Sequence, residues 1–441
     1  MNDLDILAGD IQNAFLSAPT EEKIFFYAGD EWGADKDRVV VVVRALYGLK
    51  SSALQFRNHL AATLGNKLGF KSCLADPDLW YKACIDADGN EYYAYILVYV
   101  DDLLIIDKDP KRFMAQVQSD FTVKKESIGP PDRYLGADTR RVNNGRSSFW
   151  TMSSKSYLDK AIKNLKAKLK ESGLEYNKKL SDPIYRPNQP FTTASYRPEL
   201  DTSEECTDEQ ITLFQNLIGI LRWAVELGRI DIGYEVSVLS RYLVSPRTGH
   251  LLQAIHAFKF LDIHKDNELA FRPDVPNLDI DHDKVNEQIK YMKKAYPDAV
   301  EDLPPNAPLP RGKPLSMFVF VDSDHAGDKV TRRSQTGILL YLNSAPIIWY
   351  SKRQATVESS TFGSEFVALR VASELIISMR YKLCMMGVPI EGPTNIFCDN
   401  KAVYKNSSIA HSTLKKKNNS ICFYGVQEFV AAGIQVVHKV D

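Results

Sequence analysis

Two adjacent aspartates, Asp101 and Asp102, interrupt the otherwise apolar run "YILVYVDDLLIID" over residues 95–107. Like charges held that close repel, and each costs free energy when it leaves water. A shared divalent cation removes both objections. Mg²⁺ suits the role, because it takes hard oxygen ligands and keeps open positions for phosphate oxygens, as two-metal phosphoryl-transfer sites require. Such a site needs a further carboxylate from another strand, and "LDILAGDIQNAFL" offers Asp10 at the end of a mostly apolar stretch. The alternative is an acidic turn whose side chains bond the local backbone. Spacing alone leaves both readings open.

The elements that must position these acids can be read from pattern. "RVVVVVRALYGL" and "YAYILVYV" have the β-branched and aromatic content of buried strands, and "SSALQFRNHLAATLGNKLGF" between them has helical periodicity ending at Gly69. Residues 155–179 form a helix candidate with eight lysines against three acids. A solvated helix face is its plain reading, and a face that neutralises phosphates is the alternative. "SDPIYRPNQPFTTASYRPEL" reads as a linker, residues 208–266 as mainly helical, and "YPDAVEDLPPNAPLPRGKP" as a second linker announcing a new domain. Beyond it come the strand candidates "MFVFV", "TGILLYL" and "PIIWYS". A long helix from about Thr361 to Met386, the strand "TNIFCD", two helices and the strand "IQVVHKV" complete a compact α/β unit.

Composition narrows the class without naming a function. The chain has 441 residues, 44% of them hydrophobic and 25% charged, enough for two to four domains with sizeable cores. No stretch approaches the roughly 18 apolar residues of a membrane span, and the N-terminus lacks the pattern of a signal peptide. The six cysteines show no CxxC or Cys/His ligand spacing, so they read as reduced intracellular thiols. A net charge of -1 does not exclude a nucleic-acid partner, since basic residues can cluster on one face.

Taken in order, "DIQNAFL", "RALYGLKSSALQF", "ADPDLWYK", "YVDD" and "GPPDRYLGA" resemble the reverse transcriptase of copia-type LTR retrotransposons. "FQNLIGILRWAVELGRIDIGYEVSVLSRYL" resembles the connecting region of that family's Pol polyprotein. "VDSDHAGDKVTRRSQTGILLYL", "APIIWYSKRQATVESSTFGSEFVAL" and "IFCDNKAV" resemble its RNase H domain. The resemblance implies an α+β chain. A palm of antiparallel sheet and helices is expected over 1–150, a helical thumb or connection region over 151–310, and an RNase H-like domain with a mixed five-stranded sheet over 315–441.

Residue by residue, the resemblance makes Asp10, Asp101 and Asp102 the polymerase carboxylates, holding two Mg²⁺ ions, with Mn²⁺ as a substitute. Phe15 falls where such enzymes place an aromatic that excludes a 2′-hydroxyl; a core phenylalanine is the alternative. Tyr47, Gly48 and Lys50 correspond to the segment beneath template and nucleotide. Lys124 matches a lysine that protonates or shields pyrophosphate, or is simply an exposed lysine, and Tyr134, Leu135 and Gly136 resemble the primer grip. In the second domain Asp322 ends a strand, Glu365 lies one turn into the long helix and Asp399 ends another strand; the resemblance assigns these three to a second pair of Mg²⁺ ions. Taken singly, Glu365 could be a surface residue, Asp399 a helix cap, and Asp324 or Asp328 could be confused with Asp322. Arg332, Arg333, Lys352 and Arg353, with "LKKK" at 414–417, supply positive charge for nucleic acid.

The implied partners are an RNA template, a DNA primer, deoxynucleoside triphosphates and an RNA·DNA hybrid, with other Pol or Gag segments of the element and no membrane. The implied location is the cytoplasm, within a virus-like particle, or the nucleus. The sequence also departs from the family. Only nine residues precede Asp10, where a nucleotide-gripping fingers region is expected. Asp441 is a weak substitute for a fourth carboxylate near the C-terminus, and Ser420 stands where many relatives have Asp. An incomplete copy with impaired activity is therefore expected, with a non-catalytic nucleic-acid-binding scaffold as the alternative.

Overall fold

The run that holds Asp101 and Asp102 is a tight hairpin inside an antiparallel sheet. The computed structural model describes residues 2–145, 147–171, 187–193, 195–409 and 420–440. It divides into two compact units, the first made of residues up to 131 with 303–314 and 381–389, and the second of the remainder.

The first unit contains β1 (Asp5–Asp10), the single turn α1 (Ala14–Ser17), β2 (Pro19–Tyr27), β3 (Val39–Arg44), α2 (Ser52–Ala62), β4 (Lys71–Cys73), β5 (Asp76–Ile85), β6 (Glu91–Tyr99), β7 (Asp102–Asp107) and α3 (Pro110–Gln118). Its sheet has the order β1-β7-β6-β5-β4, each adjacent pair antiparallel. Successive side chains of a strand point to opposite faces, so a doubly covered sheet needs apolar residues in both registers. The chain supplies them. Ala94, Ile96, Leu103 and Ile105 join a core with Phe56 and Leu60 of α2 and Phe113, Met114 and Val117 of α3. Leu79 and Leu97 instead pack with Met385 and Ala307. Gly9 permits this packing beside Asp10, because a Cβ there would lie 2.6 Å from the Met114 methyl and 3.2 Å from Val123.

One expectation fails here. "RVVVVVR" forms β3, but it pairs only with β2 in a two-stranded ribbon rather than joining the buried sheet. Phe25, Tyr27, Val39, Val41 and Val43 are all exposed. Valine content reports how well a segment suits a pleated backbone, while burial depends on what covers each face: Val42 is buried, and the face bearing Val39, Val41 and Val43 is not.

The second unit begins with β8 (Arg133–Tyr134), β9 (Ala137–Asn143), β10 (Ser148–Ser153), α4 (Lys155–Glu171), α5 (Asp208–Glu226), α6 (Gly233–Leu239), α7 (Thr248–Ile263), β11 (Leu269–Phe271) and α8 (His282–Ala295). Thr207 starts α5 with a reciprocal cap: its hydroxyl accepts from Gln210 N–H while the Gln210 side chain accepts from Thr207 N–H. Leu158, Leu165, Phe214, Leu221, Ala254 and Phe258 form the core where α4, α5 and α7 meet. Flanking that core on the lysine-rich α4, Lys155 pairs with Asp266 and Lys166 with Asp262, while Lys265 pairs with Asp159 of the same helix. The part of that candidate beyond 171 lies outside the described residues.

The unit continues through β12 (Met317–Ser323), β13 (Gln335–Leu342), β14 (Ala345–Arg353), α9 (Thr361–Met385), β15 (Thr394–Cys398), α10 (Lys401–Ser408), α11 (Ser420–Ala431) and β16 (Gln435–Lys439). From Tyr381 onward α9 belongs to the first unit. The mixed five-stranded sheet is as expected: order β14-β13-β12-β15-β16, antiparallel on the β13 side and parallel between β12, β15 and β16.

The expected boundaries at 150 and 315 are not where the packing divides. Position 150 lies inside β10, which pairs with both β9 and β11 in a four-stranded sheet. The helical region is also bound to the mixed sheet. Gln335 donates to the Ser237 hydroxyl at 3.0 Å, and Arg241 reaches the buried carboxylate of Asp328 at 3.5 Å. Such polar links between distant segments leave no trace in linker composition.

Candidate metal centres

Asp10 ends β1 and Asp102 starts β7, and the two face each other as directly paired residues of adjacent antiparallel strands. Asp101 lies in the turn before Asp102, and its carbonyl accepts from Ile11 N–H at 2.8 Å. The turn is strained. Val100 has φ 56°, a left-handed conformation that a β-branched residue rarely adopts. Burial first, then the negative charges of Asp101 and Asp10, push the Asp102 carboxyl above its usual range, and Lys124 works against them. Lys124 is fastened to Asp10 twice: its N–H donates to the Asp10 carbonyl at 3.0 Å, and Nζ lies 2.7 Å from Oδ2. The other carboxylate oxygen, Oδ1, is buried with no hydrogen-bond partner. Asp10 N–H in turn donates to the Ser127 hydroxyl at 2.9 Å.

The second cluster forms where two parallel strands end side by side. Phe320 of β12 pairs with Phe397 of β15, so Asp322 and Asp399, each two residues further on, emerge at the same end of the sheet. Glu365, one turn into α9 and 7% exposed, completes the group, and one oxygen from each of the three lies within 4.8 Å of the others. Among the described residues this is the one group of three or more acids, histidines or cysteines with ligand atoms so close. Burial first, then the charges of Asp322 and Asp399, push Glu365 up to about 8.

The bland readings of this cluster resolve in particular bonds. Asn400, not Asp399, caps α10, its side chain accepting from Ala402 N–H at 2.9 Å and Val403 N–H at 3.1 Å. Asp324 accepts from Gln335 N–H at 2.8 Å as part of the following turn. Asp328 is buried and accepts from Thr331 N–H while pairing with Arg353 at 3.0 Å. These two acids belong to a loop, and Asp322 is left to the trio.

Comparison with known proteins places the chain. Residues 2–173 match the model of the family described as reverse transcriptase (RNA-dependent DNA polymerase). The retrovirus-related Pol polyprotein from transposon TNT 1-94 of Nicotiana tabacum is 23% identical over 97% of this chain and 28% of its own length. That from transposon RE1 of Arabidopsis thaliana is 26% identical over 97% of this chain and 25% of its own. The putative transposon Ty5-1 protein of Saccharomyces cerevisiae is 26% identical over 78% of this chain and 92% of its own. These matches support a retrotransposon Pol reverse transcriptase region in the chain. It spans about a quarter of the length of the plant polyproteins. A solved foamy viral protease-reverse transcriptase in complex with RNA/DNA hybrid aligns with 99% of the chain and 44% of its own at 12% identity, with a TM-score of 0.43.

The remaining positions singled out in the sequence fall into several groups. Phe15, half-buried in α1, meets the exposed ring of Tyr47 in a tilted contact at 4.7 Å and lies 6.1 Å from Phe56, so its ring bridges core and surface. Gly48 has φ 97°, which a side chain would strain, and Lys50 is exposed. Tyr134, Leu135 and Gly136 form the turn between β8 and β9 in the second unit. Leu135 and Gly136 have φ 47° and 89°, with Tyr134 and Ala137 as the closing pair. Arg353 is engaged by Asp328 rather than left for a ligand, whereas Arg332 and Lys352 are exposed and Arg333 half-buried. "LKKK" at 414–417 and Asp441 lie outside the described residues.

Pattern reading missed the opposite wall of the second cluster. Asp322 and Asp399 open into a cleft of about 1030 Å³ bordered by Lys352 and Trp349 on the sheet side and by Arg222, Glu226 and Tyr234 of α5 and α6. Those three carry no local signal, since only the approach of helix to sheet brings them to the acids. Among the described residues no helix is long and apolar enough to cross a membrane.

Proposed function

We propose that this retrotransposon Pol chain is an RNA-directed DNA polymerase with ribonuclease H activity. The polymerase reading rests on Asp10 and Asp102 being paired across β1 and β7 with Asp101 in the adjoining turn, which gathers three carboxylates from segments far apart in sequence. The all-oxygen donor set suits Mg²⁺ or Mn²⁺, and Asp10 Oδ1, buried without a hydrogen-bond partner, is available as a ligand. Bound there, a divalent cation lowers the pKa of a primer 3′-hydroxyl and offsets phosphate charge. The protein's own part is positioning. The Phe15 and Tyr47 rings form an apolar shelf on which a deoxyribose fits and a 2′-hydroxyl goes unpaired. The turn at Leu135 and Gly136 offers backbone to a primer strand, and Lys50 an exposed ammonium to the template.

Asp322, Glu365 and Asp399 would hold cations for hydrolysis of the RNA strand of an RNA·DNA hybrid, with Lys352 at the rim of the cleft available to phosphates. Template RNA, DNA primer and deoxynucleoside triphosphates are the proposed substrates, and other Pol or Gag segments of the element the proposed protein partners. Primer extension on an RNA template should fall to background when Asp101 and Asp102 are both replaced by Asn. Cleavage of a labelled hybrid should fall about 10²-fold or more with Glu365→Gln. Extension that survives the double substitution would end the polymerase reading, and unaffected cleavage would end the second.

A second reading, a nucleic-acid-binding scaffold without polymerase turnover, is favoured by one observation. A lysine already neutralises Asp10, and the polymerase trio is not drawn as close together as the second one. Background extension by the unsubstituted chain, with hybrid binding intact, would select it.

A further inference from the structure

We infer that Lys124 is a tethered counter-ion that occupies the cation side of Asp10 and must be displaced before a divalent ion can bind there. This rests on the proposed polymerase metal site. Three observations carry it. The Lys124 ammonium sits 2.7 Å from Asp10 Oδ2 and its backbone N–H is held by the Asp10 carbonyl, so the ammonium is delivered to this carboxylate by a fixed anchor rather than arriving by chance of rotamer. Asp10 Oδ1 is buried without a partner, so one oxygen awaits a ligand while the other is already engaged. Finally, the trio at Asp322 closes to within 4.8 Å, and the trio at Asp10 does not.

An ammonium on Oδ2 and a divalent ion on Oδ1 of the same carboxylate stand only a few ångströms apart and repel strongly. Lys124 therefore competes with metal, and metal entry releases it. The side chain is half-exposed and flexible, so once released it can reach toward bound phosphate while its backbone stays in place. Asp10 thus has two cationic partners in exchange.

The test is Mn²⁺ binding, followed by the electron paramagnetic resonance of free Mn²⁺, on the full chain carrying Asp322→Asn and Glu365→Gln to silence the second cluster. In that background Lys124→Met should bind Mn²⁺ about three- to fivefold more tightly than the Lys124 chain, the size expected for a partly exposed ion pair. Lys124→Arg, which keeps the charge, should stay weak, and the gap between Met and Lys should narrow as salt is raised. Equal or weaker binding by Lys124→Met would overturn the inference while leaving the metal site standing, provided Asp101→Asn with Asp102→Asn still abolishes binding. If that double substitution changes nothing in any of these chains, the polymerase metal site itself is wrong and the inference falls with it.

Discussion

Asp10, Asp101 and Asp102 have an internal ammonium, Lys124, held at 2.7 Å, whereas Asp322, Glu365 and Asp399 relieve their repulsion by keeping a proton on the buried Glu365. Both groups face the same difficulty, several carboxylates in a partly desolvated place. The polymerase group sits at the end of an antiparallel sheet, beside a loop from 119–128 that brings a lysine back to β1. The other group sits at the ends of two parallel strands, with a helix laid over them. A helix supplies a further acid and low dielectric, which raise the Glu365 carboxyl; a loop supplies a cation, which works against the rise at Asp102. The scaffold, rather than the acids, decides how charge is balanced before any metal arrives.

The comparison can be broken most directly at Glu365. Its carboxyl is raised from an ordinary value of 4.5 to about 8, so between those pH values the unfolded chain releases a proton that the folded chain retains. Stability without divalent ions then falls as pH rises through this window, by several kcal/mol, and is level below and above it. Glu365→Gln has no such proton, so urea melts in chelator at pH 5 and pH 8 should differ much less for the variant. Equal slopes for both chains would show that Glu365 is not the protonated member.

Asp328 is the next largest effect. It resembles Asp322 in sequence but answers to Arg353 and Arg241. Replacing it with Ala leaves two guanidinium groups without their buried partner, and should lower stability by about 3 kcal/mol. Asp324→Asn, altering an exposed turn acid, should cost little. A melt in which the two variants behave alike would erase the distinction between the buried, arginine-paired acid of this loop and its exposed one.

Smaller effects sharpen the polymerase side. Phe15→Ala removes the half-buried ring between Tyr47 and Phe56 and should cost about 2 kcal/mol by chemical denaturation. If the ring also selects sugars, incorporation of ribonucleotides should rise relative to deoxynucleotides in the same variant. Val100→Gly relieves a left-handed valine and should stabilise the first unit by about 1 kcal/mol. A loss of stability instead would mean that Val100 packing outweighs its backbone strain.

Much of this was legible beforehand, and the failures have physical causes. The strands around Asp10, Asp101 and Asp102, the mixed sheet of the second cluster and the helix from Thr361 follow from periodicity and apolar content. β3 misled because valines specify an extended backbone and say nothing of what covers it. The boundary at 150 misled because β10 joins β9 and β11, a pairing made with residues more than a hundred positions away. Arg353 read as a nucleic-acid contact because a surface arginine and one satisfied by a buried aspartate look alike in one dimension.

The sequence by itself determined which residues are acids at the ends of apolar runs, and the ordered motifs carried the resemblance to a retrotransposon Pol reverse transcriptase region. These are local properties: strand and helix periods act within a few residues. Only the tertiary structure decided that Asp10 pairs with Asp102, that Lys124 stands at Asp10, that Asn400 rather than Asp399 caps its helix, and that α5 and α6 wall the second cluster. Register between strands and the approach of helix to sheet are set by which distant surfaces bury each other best, and that competition is settled only when the whole chain packs.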